Sequence, residues 1–450
     1  MVAKIARIIR LFSIFLLLTG WLSRPVMAED ITLITDTQTQ KFLGNIIAPL
    51  YKAAGIPFSA DRIYIVRDNS LNAFVTEGNN MFVNTGTLIE ADNVNELSGI
   101  LAHETGHIMG GHIVRQQLKM QKMQYIMLGS MIAAGATAAS TGHGDAAMAI
   151  MLGSQSSALN SMLHYQNQEE RNADESAVKL LSATGQSTAG LQNFMSKIRK
   201  KNALSGVSES PYFRTHPMTS ERIAHFVEAG KNNHYPTTHK LDAEFLMIKA
   251  KLVAFLLDKN KVMRMYPQND NSPAGRYAHS ILAFRQNDFT TAQKLLDGLI
   301  AEQPQNPYFH ELKGQFLFES GQVQKSIVSY ETALKLLPND TVLKTCLAQA
   351  LLENNPNKAQ LQRIILLLQQ AQIKTPTATG WQLLSRAYDM SQKRAASLYA
   401  AAEFSYEMDN LEVAQKQLKN ARKAGADKSL SLKISDLEHR IKQELKDRGF

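Results

Sequence analysis

Apolar and polar positions change their spacing three times along this chain. In the first zone, residues 30–118, Ile63-Tyr64-Ile65-Val66 and Met81-Phe82-Val83-Asn84 are short β-branched or aromatic runs between turn signals. Each predicts a strand. From 94 to 118, Leu97, Ile100, Leu101 and Ile108 fall on one side at helical spacing and predict a single helix. The second zone, 120–163, is rich in Met, Ala, Gly and Ser. After 165 the chain reads as polar and helical to about 200. A loop then reaches Thr215-His216-Pro217, and a helix from Ser220 to Ala229 closes the unit. Pro236 and its polar neighbours mark a boundary, and from about 240 the pattern becomes one of helix pairs.

The helix pairs carry a measurable period. Pro304 and Pro338 are 34 residues apart, as are Asn287 and Gly321, each of these two at the turn inside a pair. Counted from Pro307, Gly314 falls at position 8, Tyr330 at 24, Ala333 at 27 and Pro338 at 32. This resembles the tetratricopeptide repeat, whose small residues let paired helices touch. The match is good over 273–340 and degenerate elsewhere. Trp381 to Tyr388, Ala395 to Glu407 and Leu411 to Ala424 read as further helices of the array.

Composition narrows the setting. A hydrophobic fraction of 44% with 20% charged residues excludes a disordered chain and a polytopic membrane protein. The single cysteine, Cys346, excludes an intramolecular disulfide and a cysteine-based zinc site. Residues 1–28 have the form of a secretory signal peptide: Lys4, Arg7 and Arg10, then an apolar core from Leu11 to Trp21, then Val26-Met27-Ala28 before Glu29. The core is too short to span a bilayer as a helix. Its removal takes away four basic residues and no acid, lowering the formal charge from +9 to about +5. That excess is too mild to call for nucleic acid. The expected location is the bacterial periplasm.

The chemistry sits on the 94–118 helix. His103-Glu104-Thr105-Gly106-His107 places two histidines four apart, about 40° from one another around the helix, so both imidazoles reach one ion. Zinc accepts neutral imidazole and keeps one open position in catalytic sites. Glu104 is placed to act as general base toward a water that the metal activates. A third ligand at the sixth residue after His107 fails, because that position is Ile113; His112 is one residue short and about 100° off the face. The alternative is a carboxylate from a later helix. Glu170 and Asp174 lie four apart: the first as ligand, the second accepting the outer N–H of a ligating histidine. Glu169 is the local competitor, but four residues on from it stands Ala173. His143 and His164 read as solvent or loop histidines.

Leu101-Ala102-His103-Glu104-x-x-His107 with Glu170-x-x-Ala173-Asp174 resembles the gluzincin family that includes the prenyl-protein CAAX proteases and the heat-shock membrane proteases. Thr215-His216-Pro217 followed by Arg222 matches a segment near the end of that family's protease domain. The resemblance implies an α+β zincin-type metalloprotease domain, mostly helical with a small sheet, at 29–235, and an α-helical tetratricopeptide-repeat solenoid at 240–450. It implies one Zn2+ per chain on His103, His107 and Glu170, Glu104 as base, and Asp174 holding a ligand histidine. The domain order resembles a periplasmic branch of the family. In that branch the histidine matching His216 takes the open zinc position and holds the enzyme latent. The alternative is a loop histidine that hydrogen-bonds substrate or the oxyanion. Arg222 either pairs with an acidic group or stabilises the tetrahedral oxyanion. The branch implies a zinc endopeptidase with chaperone-like activity on outer-membrane β-barrel proteins, docked to their assembly machinery through the repeats. A mainly non-proteolytic assembly factor is the rival.

Two surfaces complete the expectation. Met120, Met123, Met127, Met131, Met148, Met151 and Met162 form either a helical hairpin on the protease core or an adaptable surface for unfolded strands or a membrane interface. Asn80 to Gly86, just before the motif helix, is expected to be an edge strand that pairs with extended substrate beside the cleft, as the resemblance implies.

Overall fold

A computed structural model describes residues 32–119, 165–205, 212, 215–217, 219–231, 235–236 and 239–448. The leader, the methionine-rich segment, His143 and His164 lie outside them. The chain divides into two compact units, Thr32–Val253 and Ala254–Phe450. The division falls inside the helix Asp242–Leu256, later than the composition shift at Pro236. Phe245 of that helix stacks on Phe42 at 5.8 Å, and its Lys251 lies 2.6 Å from the Asp36 carboxylate. No helix among the described residues is long and apolar enough to cross a membrane.

The first unit holds a four-stranded sheet of β1 (Leu33–Ile34), β2 (Ile63–Val66), β3 (Ala73–Thr76) and β4 (Asn80–Asn84), in the order β1-β2-β4-β3. β2 and β4 are parallel; the outer pairs are antiparallel. Tyr64, Phe82 and Phe74 stand on successive strands and stack at 4.8 and 4.9 Å, a cross-strand ladder that pins the register. β3 and β4 are joined through Gly78 and Asn79, both at positive φ, as a tight hairpin requires. That hairpin corrects one expectation. β4 is not an edge strand: it is paired on both sides, with β2 and with β3. The edge beyond it belongs to β3.

Helix α1 (Thr37–Ala53) buries Phe42, Leu43, Ile46, Ile47 and Leu50 at helical spacing. After α2 (Thr85–Glu90) comes α3 (Val94–Met109), capped by the Asn93 side chain, which accepts from the Glu96 amide at 3.1 Å. Every residue of α3 from Val94 to His107 is buried. Small residues make this possible. A Cβ on Gly99 would lie 2.7 Å from the Leu191 side chain and one on Gly106 2.7 Å from the Ala173 carbonyl oxygen. α3 therefore packs backbone against backbone with α5 (165–183) and α6 (Ala189–Ser205). The single helix expected over 94–118 is broken: Gly111 at φ 61° ends α3, and a separate α4 runs over 112–119. The unit ends with α7 (Ser220–Lys231) and α8 (Asp242–Leu256).

The second unit is a run of helix pairs. Asn287, Gly321 and Asn355 sit at intervals of 34 in the turns inside successive pairs, all at positive φ, where Gly and Asn are least strained. Ser272 and Asn306 cap helices that begin with Pro273 and Pro307. A Cβ on Gly314 would lie 2.7 Å from the Tyr330 ring, so the small residue at position 8 lets the helices Pro307–Glu319 and Val323–Leu336 touch. Phe284 stacks on Phe316 at 4.1 Å, linking one pair to the next. The helices Ala378–Met390, Arg394–Glu407 and Leu411–Lys423 extend the array, and Lys428–Asp447 lies against it. This is a tetratricopeptide-type solenoid.

Candidate metal centre

α3 carries His103 and His107 one turn apart, with Nε2 atoms 3.1 Å from each other. Glu170, from the buried face of α5, sends Oε2 to within 3.4 Å of His103 Nε2 and Oε1 to within 3.3 Å of His107 Nε2. His216 brings its Nδ1 to 3.1 Å from Glu170 Oε1 and 3.4 Å from His103 Nε2. All four residues are buried, and one ligand atom from each lies within 4.8 Å of the other three. These close separations have a simple meaning. An ion with bonds of about 2.0–2.1 Å to four tetrahedral ligands sets those ligands about 3.4 Å apart. Three imidazoles and a carboxylate at that spacing fit a divalent metal such as zinc.

Asp174, one turn beyond Glu170 on α5, places Oδ1 2.9 Å from His103 Nδ1, the nitrogen away from the cluster. Arg222 of α7 is fully buried. It donates from Nε to Asp174 Oδ2 at 2.6 Å and from Nη2 to Oδ1 at 2.8 Å, while Nη1 donates to the Pro217 carbonyl at 2.8 Å and lies 2.9 Å from Glu170 Oε2. Of the two alternatives for Arg222, the geometry is that of the ion pair, and its contact with Pro217 ties the His216 loop to the carboxylates.

The electrostatics follow from burial and crowding. Burial opposes ionisation of Glu170, but His216, His103 and His107 outweigh it and hold its carboxyl well below the usual range. Burial likewise opposes charge on Asp174, and the Arg222 and His103 hydrogen bonds win and lower it. Burial pushes Glu104 up. The two histidines are driven apart: burial lowers His107 to about 3, whereas in His103 the Asp174 and Glu170 contacts overcome burial and raise it to about 10. Glu104 Oε1 lies 3.4 Å from His216 Nε2 and has no hydrogen-bond partner among the described residues.

The sequence reading misses Tyr212 altogether; His112 and Glu169, weighed there only as ligands, take a different place beside His107. Tyr212, one turn before His216, has a buried hydroxyl with no hydrogen-bond partner among the described residues, and its ring lies 4.7 Å from the His216 ring. His112 was set aside as off the helical face. The break at Gly111 turns it back, and its Nδ1 lies 2.8 Å from His107 Nδ1. Glu169 faces outward from the ligand cluster: Oε2 is 2.6 Å from His112 Nε2, and both oxygens accept from Arg115 at 3.0 Å. The available signal was the Gly110-Gly111 pair, which ends a helix.

Residues 37–229 match the description of peptidase family M48. The chain is 24% identical over 391 residues to the Beta-barrel assembly-enhancing protease of Yersinia pestis, covering 82% of this chain and 75% of that protein. The protein of the same name in Escherichia coli (strain K12) is 24% identical over 388 residues, with 82% and 76% covered. Metalloprotease YcaL of Escherichia coli (strain K12) is 28% identical over 187 residues, 40% of this chain and 68% of its own. The matched span holds the whole cluster of buried histidines and carboxylates, and the chain is a metalloprotease whose residues 37–229 match peptidase family M48.

Proposed function

We propose that this protein is a periplasmic zinc endopeptidase that promotes assembly of outer-membrane β-barrel proteins, degrades misassembled forms, and is held latent by His216. The observation that carries this reading is the cluster of four buried donors within 4.8 Å of one another, in which His216 stands as close to Glu170 as His107 stands to His103. The names of the relatives support the substrate class. We assign the leader to 1–28, the protease domain to 29–235 and the repeat domain to 240–450.

In this proposal His103, His107 and Glu170 hold the metal. Bound zinc supplies Lewis acidity toward a peptide carbonyl and lowers the pKa of water. Glu104 is the residue that would hold and move a proton here: its carboxylate would accept one and return one at the same atom, and its raised pKa, caused by burial, suits that task. Asp174 fixes the proton of His103 on Nδ1 and leaves Nε2 free to ligate. Arg222 helps keep Asp174 ionised and also lies 2.9 Å from Glu170. His216, whose Nδ1 lies 3.1 Å from Glu170 Oε1, would be a fourth donor to the same ion and would exclude water from it until its loop shifts. The repeat unit offers the extended helical surface on which stacked pairs commonly bind protein partners.

The crowded fourth position also favours a second reading, a mainly non-proteolytic assembly factor. Glu104→Gln decides between them. The variant should bind zinc at about one per chain yet fail to cleave a denatured β-barrel protein. Loss of cleavage together with loss of β-barrel assembly in cells supports the protease; retained assembly supports the assembly factor.

A further inference from the structure

We propose that His112 and Glu169, with Arg115, form the positioning chain for His107. His107 can ligate through Nε2 only if its proton sits on Nδ1. That N–H then meets His112 Nδ1 at 2.8 Å, which must accept. The His112 proton is forced onto Nε2, 2.6 Å from Glu169 Oε2. Glu169 is in turn held through both oxygens by Arg115, whose Nε donates to the Tyr165 hydroxyl at 3.1 Å. This arrangement of protons pairs the two rings, sets the outer nitrogen of His112 in a close electrostatic contact with Glu169 that lacks hydrogen-bond geometry, and leaves the His107 Nε2 lone pair facing the donor cluster.

The backbone is built for this contact. Gly110 has φ −68° and ψ −14°, ordinary helical values that any residue adopts. Its need is for space: a Cβ there would lie 2.0 Å from His112 Nε2. Gly111 at φ 61° turns the chain so that the His112 ring folds over Gly110. His112 is not itself among the clustered donors, because its near nitrogen faces the outer nitrogen of His107. The two ligand histidines are thus held differently. His103 is held directly by a carboxylate backed by a buried arginine; His107 is held by a neutral ring relaying a carboxylate, backed by an arginine whose side chain is 47% exposed.

This inference rests on the metal-site reading above, and the test separates the two. Zinc affinity of the full chain is measured by chelator competition, alongside the absorption spectrum of the Co2+-loaded protein. Loss of an outer partner of a ligand typically weakens affinity ~10–100-fold. His112→Phe, which keeps the ring and removes the acceptor, should show that loss and a shifted Co2+ spectrum. His112→Gln, whose amide oxygen can accept, should recover most of it. Gly110→Ala, which displaces the ring without changing its chemistry, should mimic His112→Phe; Glu169→Gln should give a smaller loss. His112→Phe with parental affinity and spectrum overturns the proposal. Should that variant fail to fold, parental values in both Gly110→Ala and Glu169→Gln overturn it. His107→Ala and Glu170→Gln are the controls: if they keep zinc, the site reading itself has failed.

Discussion

Glu170 sits among three imidazoles and a guanidinium, and its charge is the residue-scale key to the cluster. Glu170→Gln removes that charge and should lose most bound metal, read as zinc per chain after dialysis. Retention would show that the metal is not held by this cluster, since Glu169 beside it faces His112 and Arg115. His216 makes the sharpest prediction. If it plugs the fourth position, His216→Ala raises basal proteolysis and self-cleavage while zinc stays bound. If it stabilises the transition state, the same substitution lowers kcat by ~10²–10³. Parallel assays on His216→Ala, with Glu104→Gln as the inactive reference, read the sign directly. The ligand motif was legible because two histidines four apart on a helix need no other information. Tyr212 was not, since nothing local distinguishes a tyrosine that turns towards the site.

At the scale of elements, the site depends on how closely α3 and α5 approach. Gly106 stands inside the His103–His107 motif, and a Cβ there meets the Ala173 carbonyl oxygen. Gly106→Ala should push α5, and Glu170 with it, away from the histidines. The expected cost is about 1–3 kcal/mol in urea unfolding, together with weaker zinc binding than the parent. An unaltered zinc affinity would show that the two helices tolerate separation. The Asp36–Lys251 pair tests α8. Burial opposes the Asp36 charge, but Lys251 and Thr39 outweigh it, so the folded pKa lies below the model-peptide value near 4. Its contribution is complete above the unfolded pKa and is lost as pH falls through the folded one. Asp36→Asn should therefore cost about 3 kcal/mol at pH 7, and the deficit against the parent should shrink in acid. A deficit that grows below pH 4 would contradict the pairing. The helix over 94–118 failed as a single element for a physical reason: periodicity records which face is apolar and says nothing of a glycine that takes positive φ.

For the whole molecule, the prediction concerns independence. Each unit has its own buried core, so residues 32–253 expressed alone should fold and bind about one zinc, while residues 254–448 should melt as a separate helical array. Calorimetry of the two pieces should reproduce the transitions of the full chain. If 32–253 is unfolded alone, the boundary inside α8 is not a domain boundary.

Sequence alone determined the repeat architecture, because a 34-residue period with small residues at helix contacts admits few other folds. It also determined the ligand candidates on α3, where spacing and helix geometry are the same information. It could not place β4 inside the sheet, since pairing partners are chosen by the chain returning at Gly78 and Asn79. Nor could it reveal that His112 turns back on His107 or that Arg222 closes on Asp174 and Glu170. Those contacts join residues by close approach across a helix break and across separate helices. Only the packed backbone, glycine against carbonyl, decides distances of that kind.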